Sequence, residues 1–125
     1  MSPYLFVAIG GACGSCLRYL LTQVMTALLG KSFPFGTLTV NLLGALIIGM
    51  TAGAIQQGVL SGHPWRPLIM VGILGGLTTF SSFSLDTLLL LQQGEWLKGA
   101  ANVVLNVLLC LVLAWIGLQT VVNRF

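Results

Sequence analysis

The sequence predicts an all-α integral membrane protein with four transmembrane helices, because the chain is strongly apolar and carries its few charges near the ends of four long segments. Hydrophobic residues make up 57% of the 125 residues and charged residues only 6%, whereas a soluble domain carries roughly 25% charged residues. A membrane-spanning helix needs about 20 consecutive apolar residues. The whole chain, residues 1–125, is therefore expected to form a single membrane-embedded domain.

The predicted spans are joined by short connections that leave no room for a soluble domain. Pro3 suits the start of the first helix, and this segment is too long and too apolar for a cleavable signal. Gly10 with Gly14, and Gly49 with Gly53, have the Gly-x-x-x-Gly spacing that lets membrane helices approach closely. The predicted spans cover residues 3–29, 35–57, 65–91 and 97–122.

The third segment contains a stretch that is a poor helix, residues 71–84. Three glycines favour other backbone conformations, and two adjacent threonines are restricted at χ1. In hydrocarbon, irregular backbone is tolerated only where it is buried in protein or lines a polar cavity. We therefore predict a discontinuous third helix whose break, between Gly75 and Thr78, frees backbone carbonyls that can bind a cation. The alternative is a kink that serves packing alone.

The basic residues favour neither orientation in the membrane. Arg66 and Arg124 fall on one predicted side, Lys31 and Lys98 fall on the other, and Arg18 leans weakly to the second side. Because the basic residues are balanced between the two sides, the positive-inside rule predicts no single orientation. Dual insertion and an antiparallel homodimer are expected, since closed two-fold pairs dominate among oligomers. The alternative is one topology, set by Arg18 or by the N-terminal amine.

Uncharged polar side chains recur inside the apolar segments, where they are costly and need a reason. Several are spaced by four residues, which places them on one face of a helix. Such groups can replace the hydration shell of an ion, or they can hydrogen-bond one helix to another. The set as a whole favours an ion path lined by Thr37, Asn41, Ser81, Asn102, Asn106 and Cys110.

Two phenylalanines and two charged residues complete the candidates. Phe80 and Phe83 flank serines, and their positive ring edges suit an anion while their faces suit a cation; core packing is the alternative. Arg18 either snorkels to the interface or places a positive charge at a pore entrance. Asp86 either pairs with Arg66 or Arg18 of a neighbour or marks the approach to the interface.

Catalysis is not expected, because two acidic residues, one loop histidine and no phosphate-binding motif argue against an enzyme. The net charge is +3, but the basic residues are not clustered, so the sequence does not indicate nucleic-acid binding. Cys13 and Cys16 match Cys-x-x-Cys but lack further zinc ligands, so we expect packing residues. A small proton-coupled multidrug-type exporter is the alternative function, although coupling would need a carboxylate near the centre of a span. A non-transporting helper subunit is a third possibility.

The run from Gly75 to Ser84, Gly-Gly-Leu-Thr-Thr-Phe-Ser-Ser-Phe-Ser, resembles the signature of the CrcB/Fluc fluoride channels. Residues 36–41, Gly-Thr-Leu-Thr-Val-Asn, and the pattern from Gly10 to Arg18 resemble it as well. With the length and the four spans, the resemblance covers the whole chain. It implies a fluoride-selective channel that exports fluoride passively across the bacterial cytoplasmic membrane and so lowers intracellular fluoride. It also implies an antiparallel homodimer with two fluoride pathways and one structural Na⁺.

The same resemblance implies roles for individual residues. The backbone carbonyls of Gly75 and Thr78 would bind the Na⁺, and Arg18 would stand in the vestibule. The sequence departs from the family pattern at Cys110, where hydroxyls are expected and a thiol is only a weak donor. The pathway residues implied by the resemblance are Asn41, Phe80, Phe83, Ser81, Asn102, Asn106 and Cys110.

Overall fold

The structure, a computed structural model, describes residues 2–124 of the chain. It contains four helices that are long and apolar enough to cross a membrane, which confirms the predicted number of spans. We call them spans 1 to 4. They are Pro3–Leu29, Phe35–Gln56, Arg66–Gln92 and Trp96–Asn123.

Local capping explains where span 1 begins and ends. The side chain of Ser2 accepts a hydrogen bond from the Tyr4 amide at 3.2 Å, and Pro3 occupies the first helical turn, where its missing N–H costs nothing. Gly30 ends the helix with a φ of 85°, a conformation that glycine adopts without a steric penalty. Its amide donates to the Thr26 carbonyl at 2.9 Å.

Span 3 is not a regular helix. Arg66–Ile73 is π-helical, Leu74–Leu77 is α-helical, and the α-helix resumes at Phe80–Gln92. Thr78 and Thr79, which we call the Thr78–Thr79 segment, have extended backbones with φ/ψ of −88°/156° and −153°/119°. The π-helical turns, a second of which covers Leu105–Leu109 in span 4, have no local signature that the sequence analysis recognised.

The two parts of span 3 pack against different neighbours. Residues 66–77 pack against span 1, whereas Phe80–Gln92 packs against the first part of span 4, Trp96–Val104. Span 2 packs along the second part of span 4, Cys110–Arg124. The Thr78–Thr79 segment is therefore the point at which span 3 changes partners.

Glycines let these helices approach until backbone meets backbone. Gly10 and Gly14 are buried in span 1, and a Cβ on Gly14 would overlap the carbonyl oxygen of Ile73 in span 3. A Cβ on Gly49 in span 2 would likewise overlap the carbonyl oxygen of Ala114 in span 4. Close approach of this kind is how small residues stabilise helix pairs in a membrane, where the hydrophobic effect does not drive association.

Large apolar side chains cover the outside of the bundle, as expected for lipid-facing helices. Few apolar side chains are buried, and Val40, Leu74 and Leu77 form the core cluster among them. Cys13 and Cys16 are both exposed in the single chain, so neither belongs to its core. The i, i+3 spacing places both thiols on the outer face of span 1.

The contact of Gly14 with span 3 yields a stability prediction with a control in the same helix. Gly14→Ala forces span 1 away from the Ile73 carbonyl, and overpacking of this kind costs about 1–3 kcal/mol. In Gly11→Ala the added Cβ meets no atom within 4 Å, so this variant should leave stability unchanged or raise it slightly. Thermal unfolding in detergent measures both variants. Equal midpoints for the two variants would contradict this account of the packing.

Candidate functional site

Asn41 holds the Thr78–Thr79 segment in place. Its Oδ1 accepts a hydrogen bond from the Thr79 amide at 2.8 Å, and its Nδ2 donates to the Thr79 carbonyl at 3.2 Å. One side chain of span 2 thus replaces the helical acceptor of the Thr79 amide and also donates to the Thr79 carbonyl. Such replacement is required, because an unpaired backbone group in hydrocarbon costs several kcal/mol.

The carbonyls of Gly75 and Thr78 lose their helical donors at this point. In a continuous helix the Thr79 amide would donate to the Gly75 carbonyl, but it donates to Asn41 instead. The Ser82 amide would donate to the Thr78 carbonyl, but it donates to Thr79 Oγ1 at 3.1 Å. The carbonyls of Gly75 and Thr78 are the ones predicted to bind a cation. In both cases the amide that would bind the carbonyl in a continuous helix donates to another oxygen.

Arg18 reaches the same region from span 1. Its Nε donates to the Gly76 carbonyl at 2.9 Å, and its side chain is half-buried. One donor of the guanidinium group therefore satisfies a carbonyl next to the interruption. The remaining donors and the positive charge stay close to it.

A chain of side-chain hydrogen bonds runs from Asn41 into span 4. Asn41 Nδ2 donates to Asn106 Oδ1 at 3.0 Å, and Asn106 Nδ2 donates to Asn102 Oδ1 at 3.0 Å and to the Asn102 carbonyl at 2.8 Å. Asn102 Nδ2 donates to Thr87 Oγ1 at 2.9 Å. Asn102 is fully buried and Asn106 nearly so. We call Asn41, Asn106, Asn102 and Thr87 the amide chain.

A cavity of about 530 Å³ brings most of the predicted pathway residues together. It runs along the Thr78–Thr79 segment between spans 2, 3 and 4, and most of its wall is apolar. Phe80 and Phe83 lie in this wall with ring centroids 5.3 Å apart and ring planes at 57°. The predicted residues that line the cavity are Asn41, Gly75, Thr78, Phe80, Phe83, Asn106 and Cys110.

The two phenylalanines differ sharply in exposure. Phe83 is 7% exposed, whereas Phe80 is 77% exposed in the single chain. A side chain as large and apolar as Phe80 borders a polar segment on one side and lacks protein cover on the other. The cavity wall is therefore incomplete in one copy of the chain.

Comparison with known proteins places this arrangement in a family. Residues 5–118 match the family model described as "CrcB-like protein, Camphor Resistance (CrcB)". The chain is 52% identical over 124 residues to the "Fluoride-specific ion channel FluC" of Aeromonas salmonicida (strain A449), covering 99% of both chains. It is 51% identical over 118 residues to the protein of the same name from Pseudoalteromonas translucida (strain TAC 125), covering 94% of this chain and 98% of the relative.

The chain belongs to the CrcB family. Its first and last residues fall outside the matched range, but the interrupted span, Asn41 and the amide chain fall inside it. The family and the four apolar helices together make this a multi-pass membrane protein.

Thr37 and Asp86 form a pair at another place in this CrcB-family protein. Thr37 Oγ1 donates to Asp86 Oδ2 at 2.8 Å within the chain, and the pairing of Asp86 with Arg66 or Arg18 of a neighbouring copy stays a prediction. The pair lies beside a second cavity of about 250 Å³, which Lys31 also lines. Thr37 therefore does not line the same cavity as Asn41.

Ser81 and Asn102 also lie apart from the larger cavity. Ser81 is exposed, and its hydroxyl lies 3.2 Å from Thr79 Oγ1. Asn102 is enclosed behind Asn106. Of the predicted pathway residues, Thr37, Ser81 and Asn102 thus occupy positions beside, and not along, the wall of this cavity.

Thr79 and Thr87 are members of the site that the sequence pattern did not indicate. Thr79 supplies both the backbone groups that Asn41 binds and the hydroxyl that caps Phe80–Gln92. Thr87 ends the amide chain. For Thr87 a signal existed, because it is a hydroxyl residue within an apolar segment, four positions after Phe83.

Proposed function

We propose that this protein is a fluoride-selective ion channel that lets fluoride leave the bacterial cytoplasm passively across the inner membrane, lowering its intracellular concentration. The observation that carries the proposal is the cavity beside the interrupted span, where a phenylalanine pair and uncharged hydrogen-bonding residues meet. The relatives named as fluoride-specific channels match the chain over nearly its full length.

The chemistry of the cavity suits a small, strongly hydrated anion. Such an ion loses its hydration shell only where donors and positive dipoles replace it. Arg18 adds a full positive charge beside Gly76. The described cavity wall contains no carboxylate, so no charge in it repels an anion.

The aromatic pair supplies the part of the path that has few conventional donors. The edge of an aromatic ring carries partial positive charge. Because the Phe80 and Phe83 planes are inclined at 57°, the two rings do not stack, and their outer edges can face an ion beside the pair. Phe83 is fixed by burial, and Phe80 would be covered by a second copy.

We infer that two copies assemble as an antiparallel, dual-topology homodimer. The balanced basic residues supply the reason for both orientations. The open side of the cavity, where Phe80 is 77% exposed and Gly75 is also exposed, supplies the reason for a partner. A two-fold pair covers the same patch on both copies.

The discontinuity of span 3 is proposed to hold a structural Na⁺ at the centre of this dimer. The Gly75 and Thr78 carbonyls have lost their helical donors to other acceptors, and carbonyl oxygens of unwound helices are the ligands that Na⁺ takes in membrane proteins. One chain offers two such oxygens, so two copies would offer four. Bound there, the ion supplies positive charge near the anion path.

The exporter alternative has no comparable support. Proton coupling needs a carboxylate near the middle of a span. Asp86 lies in the last turns of span 3 and accepts a hydrogen bond from Thr37. Glu95 is in the loop before span 4 and pairs with Lys98 at 3.9 Å.

The channel proposal is tested by ion release from liposomes that contain only this purified protein. With valinomycin to balance charge, fluoride should leave KF-loaded vesicles, whereas chloride should stay in KCl-loaded ones. Phe80→Ile and Phe83→Ile should each lower fluoride release about ten-fold or more because the ring edges are lost, with the protein still monodisperse. Phe6→Ile is the control, since Phe6 contacts His63 away from the cavity. Fluoride retention by the wild type, or wild-type release by both variants, would refute the respective claim.

Dual insertion is tested by C-terminal reporters that are active on opposite sides of the membrane. Both reporters should give signal in the same strain, because the basic residues favour neither orientation. Extra lysines placed in the connection between spans 1 and 2 should suppress one of the two signals. Signal from a single reporter in the wild type would contradict the antiparallel dimer.

The Na⁺ site is tested by replacing Na⁺ with Tl⁺ in crystals of the assembled protein. An anomalous peak should appear on the two-fold axis within coordination distance of the Gly75 and Thr78 carbonyls of both copies. Thermal unfolding midpoints should also fall when Na⁺ is exchanged for N-methyl-glucamine, because a ligand that binds only the folded state stabilises it. No peak and no shift would remove the site.

A further inference from the structure

We propose that Thr87 is a positioning residue for the ion path, because its hydroxyl fixes the orientation of the amide chain that ends at Asn41. This inference rests on the proposed fluoride conduction for its transport readout, but the orientation itself can be observed without transport. Thr87 does not line the larger cavity. It acts through Asn102 and Asn106.

Thr87 presents only an acceptor to the amide chain. Its Oγ1 donates its single proton to the Phe83 carbonyl at 2.8 Å, so the same oxygen can only accept from Asn102. Asn102 must therefore turn its Nδ2 toward Thr87. Its Oδ1 then faces Asn106, which must turn its own Nδ2 toward it.

The other end of the chain sets the same direction independently. The Thr79 amide is a donor, so Asn41 must present Oδ1 to it and Nδ2 to Asn106. Asn106 then offers Oδ1 toward Asn41 and Nδ2 toward Asn102. The two fixed ends, Thr79 and Thr87, agree on one orientation for all three amides.

Loss of the Thr87 hydroxyl would remove one of these two constraints. Asn102 is fully buried, so water cannot take the place of the hydroxyl as an acceptor. An unsatisfied Nδ2 favours a flipped Asn102, which would then face Asn106 donor to donor. The conflict is relieved only if the Asn106 side-chain amide also flips. Asn106 would then present Nδ2 to Asn41, and this would oppose the orientation in which Asn41 binds the Thr79 amide.

A purely local role for Thr87 would look different. Thr51 and Thr120 also donate to the carbonyl four residues earlier, at 2.9 Å and 2.7 Å, as threonines in helices commonly do. Thr51 is buried and Thr87 is half-buried, but no side-chain amide donates to Thr51 among the described hydrogen bonds. Thr51→Val is therefore the matched control for Thr87→Val.

The test combines fluoride release with nuclear magnetic resonance of side-chain amides. The chain has only four asparagines, Asn41, Asn102, Asn106 and Asn123, so selective ¹⁵N labelling of asparagine gives four side-chain signals. Thr87→Val should shift the signals of Asn102, Asn106 and Asn41 and leave that of Asn123 in place. Fluoride release per folded protein should fall by about five-fold or more, the factor of one net hydrogen bond.

Conservative and control variants decide the outcome. Thr87→Ser keeps the hydroxyl and should retain the wild-type amide signals and at least half of the fluoride release, while Thr51→Val should change neither. Thr87→Ala serves if the valine variant does not fold. An unmoved Asn41 signal in a folded variant that lacks the hydroxyl would overturn the proposal, as would unchanged release with shifted signals. If the wild type releases no fluoride, the channel proposal fails, and the amide signals still decide whether Thr87 positions Asn41.

Discussion

The paired hydrogen bonds between Asn41 and the backbone of Thr79 are the interaction on which the rest of the site depends. A chain that leaves the helix inside a membrane exposes backbone groups that hydrocarbon cannot satisfy. The carboxamide of Asn41 accepts from the Thr79 amide at 2.8 Å and donates to the Thr79 carbonyl at 3.2 Å. This lets the Thr79 amide turn away from Gly75, so the carbonyl of Gly75 stays available.

The packing of span 3 on both sides of the Thr78–Thr79 segment restricts movement at this interruption. On one side of it, glycines in span 1 lie against the backbone of residues 66–77 and leave little room for movement. On the other side, Phe80–Gln92 is held by the first part of span 4, where Thr87 accepts a hydrogen bond from the buried Asn102. Because tightly packed interfaces resist continuous deformation, the carbonyls keep their positions relative to the buried Phe83 and to the backbone that carries Phe80.

The sequence was sufficient for the number of spans, which apolar length fixes. Three glycines and two adjacent threonines are costly in a helix, and they are the basis on which a break in span 3 is predicted. The pairing of Asn41 with Thr79 could not be read from the sequence, because 38 residues separate them and their contact depends on how spans 2 and 3 are placed relative to each other. The residue roles came from the family resemblance, and fluoride came from it alone.

Residue spacing predicted the polar contacts that lie within one helix but not those between helices. Spacing by four correctly placed Asn102 and Asn106 together, since that contact lies within one helix. It gave no information on Thr87, which meets Asn102 from another span, or on Asp86, whose partner is Thr37. Contacts between helices depend on tertiary packing, and short-range patterns do not encode it.

The exposure of Gly75 and Phe80 indicates what the isolated chain lacks. The Thr78–Thr79 segment is satisfied on the side that faces span 2, but the Gly75 carbonyl and the Phe80 ring lie on the side that no span covers. In lipid, a carbonyl without a donor costs several kcal/mol, and a cation shared with a second copy would offset that cost. The proposed dimer and the proposed Na⁺ therefore answer one physical requirement: the same turn of backbone that opens the cavity leaves an oxygen that lipid cannot satisfy.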